Sequence, residues 1–436
     1  MSREMRHSGI EWIGEIPKEW EIRKLKNICK RITDGSHFSP ERQTDGYPYI
    51  TVSNVYDGNV HLDEALRIKK EDFDLLVANG CKPENGDVLL SKDGTVGRTA
   101  VVQNVNYVVL SSLGILTPAY DCKSQYLKYL LDSDSLQRQM QLAMAGSALR
   151  RITIIKINEL VGILPPLSEQ QKIANYLDKI CGEVDELIAL QEQMIEELKA
   201  YKQSVITEAV TKGLNPDVPM KDSGIDWIGE VPEHWGIAKI KYIAKVNGRI
   251  GFRGYTSEDL VSAGEGAYTI GGKHISNCVI DLSHPDFISW DKYYESPEIM
   301  VKKGDILIAQ RGSLGKAALV RDEIGEATIN PSLVLLNNIK INNVFLYYYF
   351  ICKATLTYID LLNTATAVPM ISQKQIENIN LPTPPISEQQ SIASYLDTKC
   401  AEIDALIAIK QAKIDELKDY KKSVIYEYVT GKKEVV

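Results

Sequence analysis

The fold class this sequence predicts is α+β, built as a tandem duplication with two globular domains and two long helices of coiled-coil type. Three observations predict it. Residues 8–20 read SGIEWIGEIPKEW and residues 223–235 read SGIDWIGEVPEHW, so one phrase is written twice. Residues 164–178 read LPPLSEQQKIANYLD and residues 381–397 read LPTPPISEQQSIASYLD, a second phrase written twice. Between opening and closing phrase, strand-like runs come first and helical runs later, the order of an α+β domain and not of a doubly wound parallel sheet. The two offsets, 215 residues from Ser8 to Ser223 and 219 from Ser168 to Ser387, are each near half of the 436 residues.

In order along the chain, the expected elements are a repeat segment (1–21), a first globular domain (22–163), a central coiled-coil helix (164–214), a second repeat segment (215–236), a second globular domain (237–380) and a C-terminal coiled-coil helix (381–436). In the first domain YPYITVSNV (47–55), DVLLS (87–91) and YVVLSSLGILT (107–117) read as strands, and 124–144 as helical. In the second, AYTIGG (267–272), DILIAQ (305–310), AALVR (317–321) and SLVLLN (332–337) read as strands, followed by a helical stretch from 341.

Each closing phrase opens a long helix. Ser168 is placed as its N-cap, with Gln171 three residues on as in a capping box. Behind it Ile173, Leu177, Ile180, Val184, Leu187, Gln191, Met194, Leu198, Tyr201 and Val205 alternate in steps of four and three, a heptad seam. The second copy runs Ile392, Leu396, Lys399, Ile403, Leu406, Lys410, Lys413, Leu417, Tyr420 and Val424. Two such helices in one chain most simply pack on each other, and a rod of this length acts as a spacer.

Composition bounds the rest. A chain of 436 residues exceeds one ordinary core, and 44% hydrophobic with 25% charged residues is that of a soluble globular protein. No apolar run reaches membrane-spanning length and the N-terminus has no signal-peptide core, so a cytoplasmic location is expected. The seven cysteines form no CxxC pair and read as reduced thiols with no metal site. A net charge of −8 argues against a wholly basic nucleic-acid binder.

One stretch recurs inside both domains, GDVLLSKDGTVGRTAVV (86–102) and GDILIAQRGSLGKAALV (304–320). Each reads as a strand, a glycine-rich turn and a second strand. The first turn offers Lys92, Asp93, Thr95 and Arg98; the second offers Gln310, Arg311, Ser313 and Lys316. Backbone N–H groups, a hydroxyl and a cation on one turn suit a phosphate or a base edge, and changed tips on a kept frame suit reading two different sequences. The same turn also serves as an ordinary solvated hairpin. A second polar turn, RITDGSHFSP (31–40), brings Arg31, Thr33, Ser36 and His37; its counterpart VNGRIGFRGY (246–255) brings Arg249 and Arg253. Catalytic signatures fail on inspection. GSLGK (312–316) lacks the spacing of a phosphate loop, NPSL (330–333) lacks the second proline and the aromatic of an adenine methyltransferase motif, and GxSxG and HExxH are missing. No catalytic residue, metal ligand or cofactor is assigned to this chain.

The duplicated SGI-[ED]-WIGE-x-P-x-x-W, the duplicated PP-[LI]-SEQQ-x-IA-x-YLD with its helix, and the two G-D-[VI]-L turns together resemble the specificity (S) subunit of type I restriction–modification systems, over essentially the full chain. The resemblance implies two target recognition domains, each reading one half of a bipartite site in double-stranded DNA, separated by an antiparallel coiled coil. It implies two docked M subunits carrying S-adenosylmethionine-dependent adenine methylation and an R subunit using ATP and Mg, so those cofactors belong to the partners. Trp12, Ile13, Trp20, Trp227, Ile228 and Trp235 are then candidate partner anchors, or else seals between each domain and its helix. The alternative reading is a two-domain coiled-coil scaffold that assembles protein partners without reading DNA. Under the first reading, binding to DNA by this chain alone is weak and salt-sensitive, because most phosphate contacts come from the M subunits.

Overall fold

The structure, a computed structural model, describes residues 3–10, 12–103, 106–144, 150–249, 254–363 and 368–435. The chain divides into two compact units, Met1–Glu192 with Gln411–Val436, and Gln193–Lys410. Among the described residues no helix is long and apolar enough to cross a membrane.

In the first unit the strand Val88–Ser91 is buried at all four residues. It lies inside a four-stranded antiparallel sheet ordered Thr99–Val101, Val88–Ser91, Leu113–Pro118, Cys29–Asp34. Alternate side chains serve two cores, as a pleat with period two requires. Leu89, Leu113 and Ile115 face a cluster with Ile50, Tyr107 and Val109. Val88, Leu90 and Leu116 face the helices Ser124–Asp132 and Asp134–Met144 through Tyr126, Leu127, Leu136 and Met140. A second sheet of Val108–Val109, Tyr47–Ile50 and Leu66–Ile68 completes the unit.

The second unit repeats the plan. Its sheet runs Lys245–Gly248, Leu333–Asn337, Ile306–Ala309, Ala317–Leu319. Ile306 and Ile308 pack toward Phe345 and Phe350 on the helix Asn343–Ile351, while Leu307, Leu333 and Leu335 pack toward Ile270 and Ile329. The α+β expectation holds, with the helices placed late and on one face of each sheet.

The two phrases recur because they bind each other inside each unit. Trp20, buried at the end of the first opening phrase, donates its indole N–H to Glu169 Oε2 at 3.0 Å. Trp235 does the same to Glu388 Oε2 at 2.9 Å. One residue further, Gln170 is fully buried: its carbonyl accepts Lys123 N–H at 2.8 Å, and its amide donates to the carbonyls of Asp121 and Pro165. Gln389 takes Asn342 N–H at 2.9 Å and donates to Pro384 O. At the phrase's end, Asp178 accepts from Tyr129 O–H at 2.7 Å and Asp397 from Tyr348 O–H at 2.8 Å. The SEQQ…YLD motif is therefore a set of polar clasps that fasten each long helix to its globular unit. Ser168 is not the N-cap. The helices run Leu167–Lys212 and Ile386–Val429, and Gln170 N–H already bonds to Pro166 O. The preceding prolines, which have no N–H to satisfy at a helix start, take the position assigned to serine.

The helices pair antiparallel within each unit. In the first unit Asp185 meets Lys421 at 2.6 Å and the rings of Tyr176 and Tyr428 are 4.5 Å apart. In the second, Lys202 meets Asp404 at 2.6 Å. Asp185 and Asp404 are repeat equivalents, as are Lys202 and Lys421, so one designed pair is used twice with the helices exchanging roles. The seam differs from the sequence expectation. It passes through Ile173, Leu177, Cys181, Val184, Ile188, Gln191, Ile195, Leu198, Lys202 and Val205, and equivalently through Cys400, Ile407, Ile414 and Lys421, all buried or half-buried. Leu187, Met194, Tyr201, Leu406 and Tyr420 are exposed, and so is Lys413. The physical reason is the opening spacing. Steps of four, four and three cover eleven residues in three turns, closer to the natural 3.6 per turn than a heptad, and this moves every second position by one while Val184, Gln191, Leu198 and Val205 keep their places.

Removing a buried polar clasp leaves its partners unsatisfied, at about 1–3 kcal/mol. Gln170→Ala is expected to lower the thermal midpoint by that equivalent, while Gln171→Ala, on the exposed side of the same turn, leaves it unchanged; calorimetry on both variants checks this.

Candidate nucleic-acid interface

The glycine-rich turns sit at the ends of the central strands. In the first unit the turn joins Val88–Ser91 to Thr99–Val101. It is closed by Ser91 Oγ, which donates to Thr95 O at 2.5 Å and accepts Arg98 N–H at 2.8 Å. In the second unit Ala309 stands at the position of Ser91, and the turn closes on backbone alone through Ala309 N–H to Lys316 O. Gly97 and Gly315 have φ of +100° and +76°, a region that disfavours any side chain. A Cβ at either would also strike the helix above, at Gln137 or Leu356.

Each turn is stitched to the segment that precedes the closing phrase. Gly94 N–H donates to Arg150 O and Ile152 N–H to Lys92 O; Gly312 N–H donates to Pro369 O and Ile371 N–H to Gln310 O. The bridges pair Asp93 with Arg151 and Arg311 with Met370. Backbone geometry is thus shared, and the side chains on it are not.

In the first unit the polar candidates form an ionic chain. Lys92 is 1% exposed, with its ammonium 3.3 Å from Asp34 Oδ2 and 3.8 Å from Asp93 Oδ2. His37, 66% exposed, lies 3.3 Å from Asp34. Asp93 Oδ1 lies 3.1 Å from Arg151 Nε. An ammonium taken out of water needs such partners. Arg31 stands 3.7 Å from the buried Asp87 and donates through Nε to Thr117 at 3.4 Å. Thr33 donates its hydroxyl to Asp34 O, and the buried Ser36 bonds Phe38 N–H and O, both fixing the loop. Thr95 and Arg98 are exposed at the tip.

In the second unit Gly248 takes the strand position of Asp34, with Arg249 directly after it, and Gln310 takes that of Lys92. Arg249 is buried, donates to Ile329 O and Thr328 Oγ1, and stacks over Tyr255 with 5.3 Å to the ring centre. Burial pulls its pKa below the ordinary arginine value. Gln310, 9% exposed, donates to the carbonyls of Pro331 and Leu333. Arg311, Ser313 and Lys316 are exposed at the turn. An open groove of about 600 Å³ runs beside it, lined by Arg249, Gln310, Arg311, Met370 and Lys374 among others. Arg253 lies outside the described residues. Sequence reasoning missed Arg151, Asp34 and Lys374. Aligning GSALRRITI with ATAVPMISQ would have set Arg151 opposite Met370, a contrast of the kind already noted on the turns.

Of the six apolar candidates in the opening phrases, Ile13, Trp20, Ile228 and Trp235 are buried in their own units. Trp12 and Trp227 are half-buried; Trp227 stacks on Tyr358 at 3.5 Å. The Trp12 carbonyl accepts from Tyr426 O–H.

One frame in two copies, each fastened by the same clasps to the start of its own long helix and bearing different tips, is a tandem duplication whose copies differ at the turns. A sequence model of the family described as type I restriction modification DNA specificity domain matches residues 17–200 and 286–419, and the chain belongs to that family: it is a specificity subunit, the non-catalytic component. A putative type I restriction enzyme MjaX specificity subunit of Methanocaldococcus jannaschii is 28% identical, over 96% of this chain and 95% of its own. The MjaVIII specificity subunit of the same organism is 26% identical over 96% and 93%. Among solved structures, a chain from work on assembly and conformational transition of the type I R-M system aligns with a TM-score of 0.68 at 17% identity, covering 95% of this chain and 99% of that one. The HsdS subunit from Thermoanaerobacter tengcongensis aligns at 0.50 and 17%, covering 95% and 98%. These two share the fold.

Asp34→Ala strands the Lys92 ammonium in the interior and is expected to destabilise the first unit by about 3 kcal/mol. Arg98→Ala, at the exposed tip, is expected to move stability by less than about 0.5 kcal/mol. Urea unfolding of the two variants separates frame residues from surface residues.

Proposed function

We propose that each unit reads one half of a bipartite site in double-stranded DNA, through the face that carries its glycine-rich turn and the segment stitched to it. The observation that carries this is the contrast at equivalent positions on an identical backbone pattern: Lys92 against Gln310, Asp93 against Arg311 and, across the bridge, Arg151 against Met370. A surface that served only to hold the fold would keep its chemistry in both copies, as the Trp–Glu and buried glutamine clasps do. Candidate contacts on the surface are His37, Thr95 and Arg98 in the first unit and Arg311, Ser313 and Lys316 in the second. The buried Lys92, Arg249 and Gln310 and the half-buried Asp93 act from behind by setting the shape and charge of the loops, with Arg31, Thr33 and Ser36 holding the neighbouring turn; Arg253 is a further candidate by sequence alone.

The opening phrases, presented twice in the same setting, suit two identical M subunits, with the half-buried Trp12 and Trp227 as the members of each phrase closest to a partner. S-adenosylmethionine is then used by the M subunits, and ATP with Mg by the R subunit. The two recognition domains are 22–163 and 237–380, with the helical segments 164–214 and 381–436 carrying the clasps.

Exchanging residues 22–163 for the matching segment of another specificity subunit is expected to change one half of the methylated adenine motif and leave the other half intact, as read from a genome-wide methylation map. An unchanged motif, with the M subunit active, would point instead to a scaffold that does not read DNA. A second measurement concerns affinity. The isolated chain is expected to bind a specific duplex far more weakly at physiological salt than the complex with M subunits does, with a shallower dependence on salt because fewer phosphates are neutralised; equal affinities would remove this division of labour.

A further inference from the structure

The bridge between each turn and its neighbouring segment holds one guanidinium in both units, but on opposite strands. In the second unit it is on the turn, as Arg311, and Met370 stands across from it. In the first unit the turn carries an acid, Asp93, and the guanidinium stands across from it as Arg151. Arg151 is 49% exposed, and Asp93 lies 3.1 Å from its Nε. Asp93 is itself backed by the buried Lys92, whose ammonium also faces Asp34.

The contact of Arg151 with Asp93 Oδ1 is an ion pair without a hydrogen bond: the carboxylate restrains the guanidinium beside the turn and leaves its planar fork of N–H donors for a ligand. An oriented pair of donors is what the O6 and N7 acceptors of guanine present in the major groove, and arginine is the side chain that matches them. A lysine in the same place would offer a point charge and no such fork. Lys92 cannot take this role itself, being enclosed by two carboxylates and 1% exposed.

The geometry points to Arg151 as the specificity-determining residue of the first unit, contacting a guanine edge in its own half-site, with Arg311 as its counterpart in the second. Asp93 and Lys92 are positioning residues that act through Arg151. This rests on the reading of the units as halves of a DNA reader. It accounts for an acid at the tip of a DNA-facing turn, where repulsion by phosphate would otherwise select against it.

The test is a methylated-adenine map from cells carrying the full complex, for Arg151→Ala, Arg151→Lys and Arg311→Ala, beside the 22–163 exchange. Arg151→Ala is expected to relax one base position, by roughly 5- to 150-fold, within the half-site that the exchange moves. Arg151→Lys is expected to relax the same position, since charge without the fork does not suffice. Arg311→Ala is expected to act on the other half-site. Asp93→Asn is expected to relax the Arg151 position part-way. Loss of methylation spread evenly over all sites in Arg151→Ala, with Arg151→Lys restoring it, would make Arg151 a phosphate contact and overturn the assignment. So would an unchanged map. If the exchange moves half of the motif and Arg151→Ala moves nothing, only this assignment fails; if the exchange moves nothing, the DNA-reading proposal itself fails. A thermal midpoint within a few degrees of the parent chain shows that each variant is folded.

Discussion

The interaction on which the rest of this structure depends is the fastening of a helix start to the opening phrase of its own repeat. Glu169 holds Trp20 and Glu388 holds Trp235, and in the next residue a fully enclosed glutamine ties down the loop ahead of the unit's helices. Indole and amide donors buried this deeply are costly if left alone. The four residues Ser-Glu-Gln-Gln therefore carry two obligations inward and leave their other members to water. Further along the same helix a tyrosine of the unit, Tyr129 or Tyr348, bonds the aspartate that ends the phrase and adds a second point of attachment.

That arrangement separates the chain into parts that must stay alike and parts free to differ. Clasps, seam ion pairs and turn glycines recur with the same partners in both units. The turns and the loop 31–37 with its counterpart at 249 do not. In the first unit an ionic chain runs from Asp34 through Lys92 and Asp93 to Arg151, with the His37 ring beside Asp34. In the second, a buried arginine rests on carbonyls and a tyrosine ring, with a glutamine amide where the lysine was. The two solutions place different groups behind the turn and present different outer surfaces. A duplicated reader can change its text in this way without disturbing its frame.

Much of the candidate site was legible before any coordinates. The recurrence of G-D-[VI]-L with altered tips marked the turns, and Arg311, Thr95 and Arg98 do lie on the surface there. Burial was not legible. Lys92 and Gln310 occupy the first position after a fully buried strand, and nothing in their identity says that Asp34 or the Pro331 carbonyl closes over them. Arg151 was passed over because its partner Asp93 is 58 residues away in sequence, and a bridge between two irregular segments leaves no periodic trace. Half of the coiled-coil seam shifts by one residue for a local reason: Cys181 and Cys400 take the places expected of Ile180 and Lys399, because an eleven-residue step opens the seam, while Val184, Gln191, Leu198 and Val205 stand where the heptad sets them.

By itself, the sequence determined the duplication, the α+β order, the two long helices and the pairing of opening with closing phrases. These properties are written in repeated words and in periods of two, 3.5 and 3.6 residues, which local geometry enforces. Only the tertiary structure decided which polar residues are enclosed, which cation faces outward, and that the end of the second helix returns to the first unit, where Tyr426 bonds the Trp12 carbonyl. The reason is range. Burial and ion pairing depend on groups tens to hundreds of residues apart, joined by closing loops whose entropic cost rises only slowly with length, and no pattern within one segment records which partner it will meet.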